Sequence, residues 1–518
     1  MNSAFVERIN NSNYLSQAID QFKKNTRLSS IDYELKERFD GDYLVIYLSN
    51  TTNRFFGLLQ ESLASLSDEN PYKEKTTIVK RTRNPSNYLK LPETQFLRTV
   101  LSESLTANQH SSHDDFFSRY IKSVSGDEEQ IISQSNHIVY GRRGSGKSSL
   151  LAYLMHNLRH SKSPYAWVDI QTYSGRRDIG AIAEIFIDII EQLKIYNPEL
   201  EKFLPAIDEI TGKSENIDPI NQLIPKIRRI LGKIASEYGH IFIFLDDIHI
   251  LYEGLQPILL DKLYSLCRGN QVFLKISGIE QFVKLRDPVS RQGLETPGDI
   301  QVIRLDYNLT TPDQSKKHIE EILNKHAIYC GLPSIGYICG KGVIDRLVWV
   351  SAGVPRDALY LFALAIRESS IKDQKKVSVT GINLSASKMA DEKLKEIQLD
   401  TSEKSNEINR ILDKIRDFCI KQERQNCFLV EIRNENLIFH TIEALISLRL
   451  LHILYSSFTP SEVGKRYVAL MLDYGLYVAL RPAKSIDLFT KEPKPLLAKE
   501  VRKFPTFDLD LYDSNTTL

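Results

Sequence analysis

The chain has 518 residues, 42% apolar and 26% charged, with 67 Lys+Arg against 66 Asp+Glu. That is the composition of a soluble globular protein, and its length suggests three or four domains. The near-zero net charge does not advertise a nucleic-acid partner, although a local patch is compatible with it. The five cysteines are scattered and odd in number, with no C-x-x-C pair, which argues against a disulfide framework or a zinc site and for a reducing, cytoplasmic setting. The segment Met1–Arg8 lacks a signal-peptide apolar core, and no apolar run reaches the length of about 18 residues that a membrane span needs, so no membrane partner is expected.

In chain order, residues 1–112 read as a separate small α+β unit with a strand signal at Tyr43–Leu48. A basic stretch with tyrosines follows (Tyr72, Lys73, Lys75, Lys80, Arg81, Arg83, Tyr88, Lys90). It suits either a nucleic-acid or partner contact or a solvated face, and the solvated face is the simpler reading. The run Thr106–His113 has linker composition.

From 113 to 310 short apolar strands alternate with helical patterns, the signature of an α/β fold with a parallel sheet. The strands are His137–Tyr140, Tyr165–Ile170, His240–Leu245, Gln271–Ile276 and Ile300–Leu305. Thr311-Pro312-Asp313 starts a helical module over 311–387. A polar linker or exposed helix is expected over 388–405. A stripe of Ile408, Ile411, Leu412, Ile415 and Phe418 opens a further domain over 406–482. There, a second helix near 438–450 precedes two strands, Leu450–Tyr455 and Tyr467–Leu472, a winged-helix-like pattern. The tail, 483–518, reads as irregular.

The chemistry is concentrated in the run Gly141-Arg142-Arg143-Gly144-Ser145-Gly146-Lys147-Ser148, which has the form G-x-x-x-x-G-K-[ST] between a strand and a helix. Such a loop turns backbone N–H groups toward phosphate oxygens, and the helix that follows, starting with Ser149, aims its positive end at the same anion. Lys147 supplies a point charge and Ser148 a hydroxyl for Mg²⁺. The strand Ile241–Leu245 ends in Asp246-Asp247, a Walker B pattern. Asp246 is the candidate metal ligand with Ser148, and Asp247 the residue that orients the attacking water. Ser277, at the carboxyl end of the next strand, is a candidate γ-phosphate sensor. Gly353-Val354-Pro355-Arg356 opens a helix. An arginine there gains nothing from the helix dipole, so Arg356 is a candidate phosphate contact, beside Pro355. Arg291, and less so Arg286, could act in trans on a neighbouring copy.

With these elements in this order the chain resembles an AAA+ ATPase over roughly 114–385, and within that group the origin-recognition and replication-licensing initiator clade. The resemblance implies bound ATP or ADP with Mg²⁺, ATP hydrolysis, nucleotide-dependent homo-oligomers and duplex DNA as a partner of the C-terminal domain. Asp246-Asp247 departs from the Asp-Glu of initiators and is similar to STAND signalling ATPases, which implies slow turnover and an effector protein. Bacterial proteins of this build are associated with antiphage defence.

Overall fold

The structure, a computed structural model, describes residues 3–81, 84–106, 114–123, 125–211, 217–305, 309–399, 403–433, 436–459, 465–478 and 497–511. The chain forms two compact units, Thr106–Asp306 and a second that joins Met1–Leu105 to Tyr307–Leu518.

The second unit starts with a helix, Ser3–Thr26, and a three-stranded sheet of β1 (Asp32–Arg38), β2 (Gly41–Leu48) and β3 (Thr76–Lys80), in the order β1-β2-β3. Alternate residues of β2, Leu44, Ile46 and Leu48, face one core. That core is shared with the helical module. Leu44, Phe55, Phe96 and Leu97 belong to the same buried cluster as Leu323, Ala327, Leu347 and Phe362. Polar ties reinforce it. Arg54 donates to the Tyr329 carbonyl (3.2 Å), Asn50 to the Leu332 carbonyl (3.3 Å), and the Tyr88 amide to the Lys375 carbonyl (3.0 Å). The expectation of a separate N-terminal unit is therefore corrected: its sheet has one apolar face and too few residues to cover it alone. Of the basic stretch, Tyr72 is buried, whereas Lys80, Arg81 and Lys90 are exposed and the pairs Lys73–Asp68 and Lys90–Asp373 lie at the surface, in keeping with a solvated face. Arg83 and most of the expected 106–113 linker lie outside the described residues.

The first unit is an α/β layer built on β4 (His137–Tyr140), β5 (Tyr165–Asp169), β6 (Ile241–Asp246), β7 (Val272–Gly278) and β8 (Gln301–Arg304). All are parallel, in the order β5-β6-β7-β4-β8. Helices Gly180–Leu193 and Asp218–Tyr238 bury Ile182, Phe186, Ile189, Ile227 and Leu231 against one face, and Lys147–Ser161 buries Leu150, Leu154 and Leu158 on another core cluster. β4 and β6 are completely buried, which explains their unbroken apolar character.

After the helical module, helix Val379–Leu399 runs through most of the expected 388–405 linker, and Lys393 within it is buried. Helix Glu403–Asp417 then leads to β9 (Cys427–Glu431), helix Leu437–Ser447, β10 (Leu451–Phe458) and β11 (Tyr467–Leu472). The sheet is antiparallel in the order β10-β11-β9. β9 was not expected, and it pairs with β11 throughout its length. Part of the tail is also structured: Phe507 is fully buried, and its amide donates to the Leu429 carbonyl (2.8 Å). Residues 479–496 and 512–518 of the tail region lie outside the described set.

Candidate nucleotide site

Strand order creates the site. β7 lies between β4, which delivers the phosphate loop, and β6, which delivers the two aspartates, with Ser277 level with Val139 and Ile276 level with Leu245. In a parallel sheet all three strands discharge their loops at the same carboxyl edge, where ligands collect.

The loop itself is shaped by glycine. Gly146 has φ +103° and Gly144 φ +86°, values that side chains rarely adopt. At Gly141 a Cβ would stand 2.3 Å from Ser145 Oγ and 3.3 Å from Leu305, so a larger residue would force the loop's Ser145 side chain to shift. Helix Lys147–Ser161 begins directly at the loop, with Gly146 as its N-cap. Lys147 and Ser145 are buried, Ser148 and Ser149 partly so, Arg142 half-buried and Arg143 exposed.

The polar groups converge on Asp246. Its Oδ1 accepts from Ser277 Oγ at 2.5 Å and from Ser148 Oγ at 3.1 Å. Burial, then the charge of Asp247, pushes the Asp246 carboxyl up to about 6, against the pull of the two hydroxyls and Lys147. Asp247 takes a left-handed conformation (φ +58°, ψ 48°), and its amide donates to Ser277 Oγ at 2.8 Å. Its Oδ1 lies 3.5 Å from Lys147 Nζ and 3.7 Å from His249 Nδ1. Burial is the main reason that the His249 imidazole is held down to about 4.

Ser145 Oγ, Asp247 Oδ1 and His249 Nδ1 are buried without a hydrogen-bond partner. Unsatisfied buried polar atoms are costly, and three around one phosphate-shaped cradle fit a polyanion with its metal. Ser148 and Asp246 would hold Mg²⁺, which would neutralise charge on phosphate oxygens.

The structure thus gathers Lys147, Ser148, Asp246, Asp247 and Ser277. Pro355 and Arg356 occupy the first turn of helix Pro355–Ile371, in the other unit. Arg291 is exposed in the turn of a hairpin-like loop, where the Leu294 amide meets the Leu285 carbonyl, and Arg286 there pairs with Glu295 at 2.9 Å. Sequence reasoning passed over His249; its signal was a ring two residues beyond an acidic pair. Lys275, fully buried in β7, lies toward the amino edge of the sheet and away from the site, level with His137; its Nζ donates to the carbonyls of Ser133 and Ser135 and meets His137 Nδ1 at 2.9 Å.

Residues 177–334, which include Asp246, Asp247 and Ser277, match the family model described as ORC-CDC6-like. Over those residues the chain is similar to that family. Among solved structures it is similar to the Aeropyrum pernix ORC1 protein in complex with DNA (14% identity, 74% of this chain and 97% of that one, TM-score 0.42). It is also similar to Drosophila ORC bound to DNA (14%, 83% and 98%, 0.38) and to a Walker-type ATPase of Pyrococcus abyssi (13%, 72% and 100%, 0.40). No curated protein matches it in sequence. Among the described residues no helix is long and apolar enough to cross a membrane.

Proposed function

We propose that this chain is an ATP-binding, slowly hydrolysing switch of the initiator type. The observation that carries the reading is the convergence of Ser148, Ser277, Asp246 and Lys147–Asp247 beside a glycine-shaped phosphate cradle. Backbone N–H groups and Lys147 bind the triphosphate and bear its charge. Ser148 and Asp246 take the Mg²⁺ side. Asp247 orients the attacking water and accepts its proton, and Ser277 holds both aspartates in register. One methylene shorter than glutamate, Asp247 reaches less far, which fits slow turnover. Arg356 is the proposed further phosphate contact, Pro355 sets the start of its helix, and Arg291 acts in trans within a nucleotide-dependent homo-oligomer.

Duplex DNA is the proposed partner, in keeping with the ORC-CDC6-like match and with the helix–strand pattern of residues 406–482, read as winged-helix-like. Helix Leu437–Ser447 carries no Lys or Arg, whereas Glu403–Asp417 carries Arg410, Lys414 and Arg416. The contact we propose is to phosphates, with a steep salt dependence. The test is duplex binding across a salt series, with and without ATP, for wild type and Lys147→Ala. ATP-dependent, salt-sensitive binding that Lys147→Ala abolishes supports the reading; no binding at low salt in either state ends it.

A second reading follows from Asp247 and from the same cation-poor helix, on which Leu437 is 72% exposed. It is a STAND-like switch that oligomerises on ATP and recruits an effector protein, as in antiphage defence, without nucleic acid. Light scattering separates the two: assembly with ATP alone favours this one, and a monomer in every nucleotide state removes it.

A further inference from the structure

We propose that His249 is a positioning residue for Asp247: its neutral imidazole donates Nδ1–H to Asp247 Oδ1 and holds the carboxylate in place for water. The inference deepens the ATPase reading and rests on it.

The backbone arranges the pair. Asp247 is in the left-handed region, and the Ile250 amide donates to its carbonyl at 3.0 Å, closing a tight turn over Ile248–Ile250. Ile248 between them is fully buried in the apolar core, which anchors the turn. His249 is brought back to within 3.7 Å of the Asp247 oxygen, with its side chain only 13% exposed. That separation is longer than a formed hydrogen bond, and such contacts in ligand-free sites tighten on loading.

Each of the two facing atoms lacks any other hydrogen-bond partner. Two buried, unsatisfied groups of complementary type, side by side, are costly apart and stabilising together. The cation near Asp247 Oδ1 is Lys147, at 3.5 Å. Lys147 belongs to the phosphates by its place in the loop, so a bound nucleotide competes with Asp247 for it. The carboxylate then needs a donor of its own, and His249 is the side chain placed to supply it. A neutral donor suits this task. It fixes the rotamer without adding a positive charge that would make the carboxylate a poorer proton acceptor. The burial that keeps this ring uncharged thus serves the same end.

Two variants and one spectroscopic measurement test this. His249→Ala removes the donor, whereas His249→Asn restores an N–H near the position of Nδ1. Both should bind a nonhydrolysable ATP analogue within about threefold of wild type. His249→Ala should lower kcat about 10–100-fold with KM unchanged, and His249→Asn should recover most of it. With the nonhydrolysable analogue bound, ¹⁵N resonances of the His249 ring should show the neutral Nδ1–H tautomer and should shift in Asp247→Asn. A His249→Ala enzyme as fast as wild type overturns the proposal, as does a His249→Asn enzyme as slow as Ala, or a ring protonated at Nε2 and indifferent to Asp247→Asn. A wild type that binds ATP but never turns it over overturns the hydrolysis reading instead, and the ring tautomer then still decides the contact.

Discussion

Two buried polar clusters in this molecule look alike in residue type and differ in completeness. In the phosphate-loop unit, Asp246, Asp247, Lys147, Ser277 and His249 meet at the edge of the sheet, and Asp247 Oδ1 and His249 Nδ1 are left without hydrogen-bond partners. In the other unit, Asp473 is saturated. Its Oδ2 accepts from Lys393 at 3.0 Å and meets His452 Nε2 at 2.9 Å, while its Oδ1 accepts from the Gly475 amide at 2.8 Å. Lys393 also donates to the Arg449 carbonyl. Burial would push the Asp473 carboxyl up, yet Lys393 and His452 outweigh it and hold it far below the usual carboxylate range. A full cluster ties helix Val379–Leu399 to the C-terminal sheet, and an incomplete one is built for a ligand.

If that contrast is right, removing a charge should have opposite signatures. Asp247→Asn should lower ATP hydrolysis about 10²–10⁴-fold, the usual worth of a general base, while stability changes little, because Asp247 is about a third exposed and its Oδ1 has no hydrogen bond to lose. Lys147→Ala should weaken ATP binding about 10–100-fold, the loss of a charge-assisted contact. Single-turnover kinetics and a melting curve on the same sample read both quantities. A variant of Asp247 that hydrolyses normally would break the comparison at its functional end.

Asp473→Asn should do the reverse. Losing one member of a buried, paired set leaves Lys393 uncompensated and costs about 3–5 kcal/mol in urea unfolding. Nucleotide affinity is not its readout. A loss under about 1 kcal/mol would mean that the saturated cluster is not a tie.

How much of this could be read beforehand follows the same divide. The phosphate loop, the Asp246-Asp247 strand and Ser277 were legible because each joins a short motif to an apolar strand, and parallel strands fully buried on both faces announce themselves. The Asp473 cluster was not legible. Its members are 80 residues apart in sequence at Lys393 and Asp473, and nothing local marks a lysine in a polar helix as buried. The N-terminal sheet failed for a related reason. The unbroken apolar run Leu44–Leu48 declares a buried strand, but sequence does not say that Leu323 and Phe362 belong to the same core. β9 was missed because five residues, Cys427–Glu431, give too short a period to separate strand from helix.

Proton linkage sharpens the contrast further. Burial holds the His137 and His249 imidazoles down to about 4, against 6.5 unfolded. Between pH 4 and 6.5 the unfolded chain therefore binds more protons at these rings, and stability rises with pH. Asp246 works the other way. Its carboxyl is raised from 3.8 to about 6, so its contribution is complete below pH 4 and is lost as pH rises through 6. Two rings oppose one carboxyl, so the nucleotide-free protein should lose stability on acidification from pH 6.5 to 4. Asp246→Asn removes the opposing group and should steepen that loss, by about 2–3 kcal/mol over the window. Melting curves at pH 4.5, 5.5 and 6.5 check it, and an unchanged slope in Asp246→Asn would contradict the assignment.

The smallest effect probes how firmly the N-terminal segment belongs to its unit. Arg54 donates to the Tyr329 carbonyl, and its guanidinium lies 4.0 Å from the centroid of the Tyr329 ring. Nearby, Gly331 has φ +93°, and a Cβ there would stand 3.0 Å from the Phe55 ring, so a larger residue would be strained and would press on that ring. Arg54 is half-buried, which places its carbonyl bond and its cation–π contact together at about 1 kcal/mol. Arg54→Ala should lower the unfolding free energy by that amount and should raise amide exchange in the last turns of helix Pro312–Tyr329. Were residues 1–105 merely tethered, the exchange of that helix would not change, and the shared core around Leu44 and Phe362 would have to be given up with it.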